Sequence, residues 1–312
     1  MKKLSPLFLI LILIISVLFS LFFKVDDIQL FQVLIINLRL PRTLLCIITG
    51  SVLALCGSTF QMFFRNSLAE PGIMGITSGA TLGAVITAIS GITGTYLLSV
   101  LNAGAFLGAL LSGIIISTLS LKKESISSIY LLLFGTALGT LYSALTSILL
   151  SANSSKIQSM YYWMLGSFSG RGWNELYFIL LPALLSVILQ LSCISRLDLM
   201  TCGETTADSL GINVNRLRVI VLIAGSLGTS AAVCAGGTIG FVGLIAPHIT
   251  RRIFSPKARI LLPLSMLVGS ILVLISDTIA RYAIYPAELP VGTITAIMGV
   301  PFFISLLSRG KK

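Results

Sequence analysis

Gly203-Glu-Thr-Thr-Ala-Asp-Ser-Leu-Gly-Ile-Asn-Val-Asn-Arg-Leu-Arg218 is a charged island between two apolar runs, 175–194 and 219–236. It holds two of the ten acidic residues, Glu204 and Asp208, and two of the twenty-one basic ones, Arg216 and Arg218. Each flank has close to the roughly 20 apolar residues that cross a bilayer as a helix. The island therefore reads as a connection between two membrane spans. Its length and charge mark it as a segment that meets something outside the lipid.

The same reading extends along the chain. Of its 312 residues, 56% are hydrophobic and 10% charged, against about 25% charged in a soluble domain. Lipid must be the solvent for much of such a surface. Span-length windows fall at 5–23, 43–63, 74–94, 97–120, 128–150, 175–194, 219–236, 238–251, 260–282 and 291–308. This predicts an all-α polytopic membrane protein of about ten helices, organised as one transmembrane domain over 1–312. The eighth window is short and starts beside Gly236-Gly237, which predicts a tilted, broken or partly re-entrant helix. Met1-Lys-Lys3 and the following apolar run imitate a secretory signal, but no small-x-small cleavage site follows, so the run reads as an uncleaved first span.

The net charge of +11 sits at the ends of apolar runs, which points to membrane topology rather than nucleic acid. With a cytoplasmic N-terminus, fifteen bases lie on the inner face. Six lie on the outer face: Lys24, Arg39, Arg42, Lys156, Arg171 and Arg281. The bias predicts cytoplasmic termini and a cytoplasmic island. Trp163, Trp173, Tyr161 and Tyr162 have the composition of an interfacial belt and predict a short helix along the outer surface. Glycines at 75, 79 and 83, at 104 and 108, and at 135 and 139 repeat on helix faces and predict close helix packing.

Within the island, Thr201-x-x-Glu204 fits a capping box, Leu210-Gly211 a helix end, and Asn213 the cap of the next helix. The prediction is a short helix, a glycine break and a helix continuing into the seventh span. Such a helix suits docking, though a solvated loop has the same composition. Arg39-Leu-Pro-Arg42 and Arg281 run against the orientation rule. They read either as local ion pairs with Asp26, Asp27, Glu288 or lipid headgroups, or as a docking surface for an acidic partner. Asp277 and Arg281 are spaced to pair on one helix face. Thr136, Thr140, Ser143 and Ser147 form a polar stripe on the fifth span, for an aqueous path or for helix packing.

Other chemistry is disfavoured. No G-x-x-x-x-G-K-[ST] occurs, so the chain has no P-loop for ATP. The single histidine, His248, argues against a histidine metal site, and it reads as a helix-end residue. The five cysteines lack C-x-x-C spacing and read as packing residues. No nucleophile–base set is visible, and the acid nearest a span, Asp277, has a partner in reach. That disfavours an ion-coupled secondary transporter, the main rival reading beside a non-transporting scaffold.

Several segments together resemble the FecCD-type permeases, membrane subunits of ATP-driven importers for iron-siderophores, haem and cobalamin. They are Arg39-Leu-Pro-Arg42, Arg65-Asn-Ser-Leu-Ala-Glu-Pro71 with Gly75-Ile-Thr-Ser-Gly79-Ala, the 203–218 island, Gly240-Phe-Val-Gly-Leu-Ile-Ala-Pro-His248, Asp277-Thr-Ile-Ala-Arg281, Glu288-Leu-Pro-Val-Gly292 and Gly299-Val-Pro-Phe-Phe303. Ser67 departs from the usual proline. The resemblance implies a type II importer permease of ten helices, working with a second permease, identical or paralogous, in the cell membrane. It implies two cytoplasmic ATPases, which use the ATP and magnesium, and a substrate-binding protein outside. The chain itself then needs no cofactor, metal or catalytic residue. The coupling segment maps to 203–218, with Gly203, Glu204, Thr206, Ala207, Leu210 and Gly211. Binding-protein docking maps to Arg39, Arg42 and Arg281, and the path to Thr136, Thr140, Ser143 and Ser147. The implied cargo is an iron(III)-siderophore, with haem or cobalamin as alternatives.

Overall fold

The computed structural model describes residues 6–23, 33–90, 97–122 and 128–309, with the backbone alone at 97–99, 122, 128 and 306–309. Asp26 and Asp27, the chain termini and the end of the third predicted span lie outside the described residues. Among the described residues the architecture is entirely helical: α1 (Pro6–Phe22), α2 (Leu40–Phe63), α3 (Ile76–Ile89), α4 (Leu97–Lys122), α5 (Ser128–Ala152), α6 (Ile157–Met164), α7 (Trp173–Ser192), α8 (Ile194–Met200), α9 (Glu204–Ser209), α10 (Val214–Gly236), α11 (Val242–Ile253), α12 (Ala258–Tyr282) and α13 (Val291–Arg309). A π-helical turn, Leu34–Arg39, leads into α2, and Pro41 sits in the first turn of α2, where its missing N–H costs nothing.

Six helices are long and apolar enough to cross a membrane: α4, α5, α7, α10, α12 and the continuous Leu34–Phe63. α1, α3 and α13 are shorter apolar helices. With α11 they account for the ten predicted windows. α2 and α10 form the centre of the bundle, with 78% of each span window buried against 22% for α5. α10 packs on α4, α7 and α2, and α12 on α2 and α1. The outer faces are apolar, as at Leu133, Ile148 and Leu181, which suits contact with lipid tails.

Close approach at the predicted glycines builds the α3–α4–α5 layer. A Cβ on Gly108 would meet the Gly79 carbonyl at 2.1 Å, and one on Gly83 the Gly104 carbonyl at 2.1 Å. Gly75, which opens α3, meets Gly135 of α5 in the same way, at 2.8 Å. Without a hydrophobic gain between helices in lipid, such contact is what holds the layer together. The predicted surface helix is α6, whose Tyr161 and Tyr162 are exposed.

Two spans are corrected in length. α3 has 14 residues and α11 has 12, about 21 and 18 Å at 1.5 Å per residue, short of a hydrocarbon core of about 30 Å. Non-helical connections, 64–75 and 237–241, precede them. The eighth window is thus a broken span, as expected, and the third is a second half-length helix where a full one was predicted.

Candidate functional site

On the predicted outer face, the end of α1, the start of α2, the end of α12 and the 165–172 connection meet. Arg42 grips Asp277 with Nε at 3.1 Å and Nη2 at 2.8 Å from Oδ1. Its Nη1 donates to Glu288 Oε1 at 3.0 Å. Arg281 Nε lies 3.1 Å from Asp277 Oδ2, the predicted i, i+4 pair, while its Nη2 donates to Ser20 Oγ at 2.6 Å. Arg39 donates to the Leu21 and Phe23 carbonyls, each at 2.8 Å, where the last carbonyls of α1 need donors. The Tyr282 hydroxyl donates to the Phe23 carbonyl as well.

The sequence left these arginines either as local ion pairs or as a docking surface, and the structure shows the ion pairs with Glu288 and Asp277. Side-chain exposure is 11% for Arg42 and 8% for Arg281, and Asp277 is fully buried. Taking a guanidinium out of water is costly unless a carboxylate compensates it, and Asp277 compensates two. Burial alone would raise the Glu288 carboxyl, but the hydrogen bond and charge of Arg42 prevail and hold it below its ordinary value. Above this network lies a cleft of about 440 Å³ lined by Arg39, Arg42, Arg171, Arg281 and Glu288. Arg171 was placed on the outer face by sequence but not chosen as a site residue. Its Nη1 donates to Asn102 Oδ1 at 3.1 Å, and burial draws its guanidinium below its ordinary value, with Glu175 opposing. The cleft is rich in positive charge, and its guanidiniums are held rather than free.

On the opposite face, the island forms α9 between two glycines with positive φ, Gly203 at 120° and Gly211 at 84°. The capping box is corrected. α8 runs through Met200, the Thr201 hydroxyl donates to the Asp198 carbonyl at 2.6 Å, and Gly203 takes the cap position. The end of α9 is as predicted: Gly211 N–H bonds to the Asp208 carbonyl at 2.9 Å and Ile212 N–H to the Ala207 carbonyl at 3.1 Å, the paired pattern of a glycine C-cap. Asn213 Oδ1 accepts from Arg216 N–H at 2.8 Å, again as predicted. Ala207 is buried and anchors the helix, while Thr206 and Leu210 are exposed, Leu210 at 59%. Glu204 pairs with Arg218 of α10 at 3.4 Å, so α9 is tied to the central helix of the bundle. Arg218 is a tie that the sequence reading did not single out.

The α5 stripe lies on the surface of the single chain, with Thr136, Thr140, Ser143 and Ser147 all exposed. Each hydroxyl donates to its own helix: to the carbonyls of Leu133, Thr136, Gly139 and Ser143 respectively, at 2.7–3.0 Å. No side chain from a neighbouring described helix takes up these hydroxyls, so they do not serve packing within the chain.

A fourth feature was not singled out as a site by the sequence reading. Glu70, in the 64–75 connection, lines a cavity of about 240 Å³ with Leu53, Thr77, Thr238 and Gly243. The stretch Arg65–Pro71 entered the sequence reading only as part of the family resemblance, and Glu70 was given no role. Pro71, Gly72 and Gly75, followed by a short apolar run, were the available sign that the chain turns back.

The model of the FecCD transport family matches residues 5–309. The iron-uptake system permease protein FeuC of Bacillus subtilis (strain 168) is 34% identical, over 100% of this chain and 99% of its own length. The vitamin B12 import system permease protein BtuC of Vibrio cholerae serotype O1 is 37% identical, over 89% and 83%. Among solved structures, an inward-facing metal-chelate type ABC transporter superposes with a TM-score of 0.89 at 33% identity, covering 97% of this chain and 98% of that one.

Proposed function

The chain belongs to the FecCD transport family and is a permease subunit of an ATP-binding-cassette importer, a transport component rather than an enzyme; from that premise we propose that its cargo is an iron(III)-siderophore. The observation that carries the cargo is the match to an iron-uptake permease over essentially the whole of both chains. The likeness to a vitamin B12 permease supports cobalamin as a second reading, and haem belongs to the same class of bulky chelates. The test is uptake into vesicles holding the assembled transporter, with ferric siderophores, haemin and cyanocobalamin offered in turn. ATP-dependent uptake of a ferric chelate is expected. Uptake of cobalamin or haemin alone would overturn the cargo and leave the permease role standing. Uptake driven by an ion gradient without any ATPase would overturn both.

In this reading the whole chain works as one permease domain in the cell membrane, with both termini in the cytoplasm. It pairs with a second permease, two ATPase subunits that bind and hydrolyse ATP, and an extracytoplasmic binding protein. α9, with Gly203, Glu204, Thr206, Ala207, Leu210 and Gly211, transmits the ATPase movement. Its exposed Leu210 and its tie to α10 support that role. The cleft of Arg39, Arg42 and Arg281 receives acidic residues of the binding protein, supported by its excess of guanidiniums. The exposed α5 stripe borders the path where the two permeases meet. Each ligand shifts the balance between outward- and inward-facing states by what it binds better in one of them.

A further inference from the structure

The Glu70 cavity lies deep in the bundle. Its wall includes Leu53, ten residues from the Phe63 end of α2, about 15 Å at 1.5 Å per residue and so near half of a hydrocarbon core of about 30 Å. Thr77 and Gly243 bring in the first turns of the half-helices α3 and α11, and Thr238 and Gly240 the broken connection between α10 and α11. Irregular backbone at this depth is tolerated where it is buried in protein or lines a polar cavity.

Among the described residues, no hydrogen bond or ion pair reaches the Glu70 carboxylate, and no cation lines the cavity. The charged groups on the same elements turn elsewhere. Arg65 reaches toward Gly203, His248 Nε2 faces the Ser67 carbonyl at 3.3 Å, and Arg251 and Arg252 sit in the last turn of α11. α3 carries no charged residue. A second acceptor next to the wall also lacks a donor. Gln61, 3% exposed, donates its amide N–H to the Gly243 carbonyl at 3.1 Å, and its own Oε1 has no partner. A half-buried carboxylate without a cationic partner at this depth, and beside it a buried amide oxygen without a donor, both favour a positive ligand. One carboxylate matches one charge, and no group of three His, Cys, Asp or Glu stands among the described residues to hold a multivalent metal.

We propose that this cavity is a monovalent-cation site in which Glu70 is neutralised by a proton or an alkali ion, with the Thr77 and Thr238 hydroxyls on its wall as neutral ligands. Occupancy lets the two half-helices close over the carboxylate, and loss of the cation favours a hydrated, opened cavity. The site is independent of the cargo, and its test needs neither ATPase nor binding protein, so its failure is distinguishable from failure of the transport reading.

The full chain in lipid nanodiscs is treated with dicyclohexylcarbodiimide across pH, in choline, sodium or potassium chloride, and adducts are mapped by peptide mass. A carboxylic acid adds its O–H across the carbodiimide, the oxygen bonding the central carbon and the proton passing to nitrogen. The acyl group then shifts to nitrogen as a stable N-acylurea, with nothing lost. An adduct on Glu70 is expected, falling roughly tenfold or more from mildly acid to mildly basic pH. The same fall in all three salts assigns a proton, whereas protection by sodium or potassium at fixed pH assigns an alkali ion. The isosteric Glu70→Gln variant loses the adduct while eluting as the wild-type chain. No adduct on Glu70 under any condition, or one indifferent to both pH and salt, overturns the proposal.

Discussion

At the scale of single residues, the outer arginine network separates a structural carboxylate from an exchangeable one. Asp277 is fully buried between Arg42 and Arg281, whereas the Glu288 side chain is 33% exposed and accepts the outward N–H of Arg42. Removing the charge of Asp277 leaves the buried Arg281 guanidinium without a carboxylate and Arg42 with Glu288 alone, at a cost of roughly 3–5 kcal/mol. Asp277→Asn should therefore lower the thermal midpoint sharply in detergent or nanodiscs, and a near-wild-type midpoint would contradict the account. Glu288→Gln should cost no more than about 1 kcal/mol. It should also tighten docking of the proposed binding protein, because a neutral amide competes less well for Arg42 than a partner carboxylate. Unchanged or weaker docking in that variant would count against exchange. Because the folded Glu288 carboxyl lies below its ordinary value, its contribution is present above about pH 4.3 and lost as pH falls through the folded value. The gain from Glu288→Gln should accordingly be constant between about pH 6 and 8.

At the scale of elements, α9 is short, rigidly framed and tied to the bundle at one end. Gly203 and Gly211 set its limits, Ala207 anchors it, and Leu210 stands clear of the chain. Leu210→Asp should leave the folding midpoint within about 0.5 kcal/mol, as for a surface change, while cutting ATP-driven uptake roughly tenfold or more, a loss of about 1.4 kcal/mol of coupling. Parallel measurement of uptake and ATPase rate checks this, and wild-type uptake would remove α9 from the coupling route. Legibility at this scale follows how local the signal is. Span windows, the Gly211 helix end and the Asn213 cap depend on neighbours in sequence and were readable. The Thr201 cap failed because α8 runs further than its composition suggests, so the hydroxyl bonds back into α8 instead of forward. The half-length α3 was hidden because Arg65, Asn66 and Glu70 look like a surface loop. The Arg42–Asp277 pair joins positions 235 apart, and nothing local to Arg42 identifies its partner.

For the whole molecule, the informative fact is how unevenly the bundle buries its helices. α10 is a central post and α5 a nearly bare one, with 22% of its window buried. A lipid-facing helix tolerates apolar exposure, and α5 has that at Leu133, Leu141 and Ile148, but its hydroxyl stripe has no use in a hydrocarbon environment. Four hydroxyls in a row, each bonded only to its own helix, suit a face that meets water and a second permease across an aqueous seam. A two-fold pairing places like residues opposite each other, so single cysteines on the stripe should cross-link. In a Cys202→Ser background, since Cys202 is the exposed cysteine, Thr140→Cys and Ser143→Cys should form dimers on oxidation if the partner is an identical copy. Co-expression with a paralogue bearing the matching cysteine should yield a heterodimer if it is not. Cysteines at Leu181 or Ile188 on α7, equally exposed on a leucine-rich face with Leu184 and Leu185, should stay monomeric under the same oxidation. Cross-linking through α7 with none through α5 would place the permease partner on the other side of the bundle and assign the stripe to some use other than a shared path.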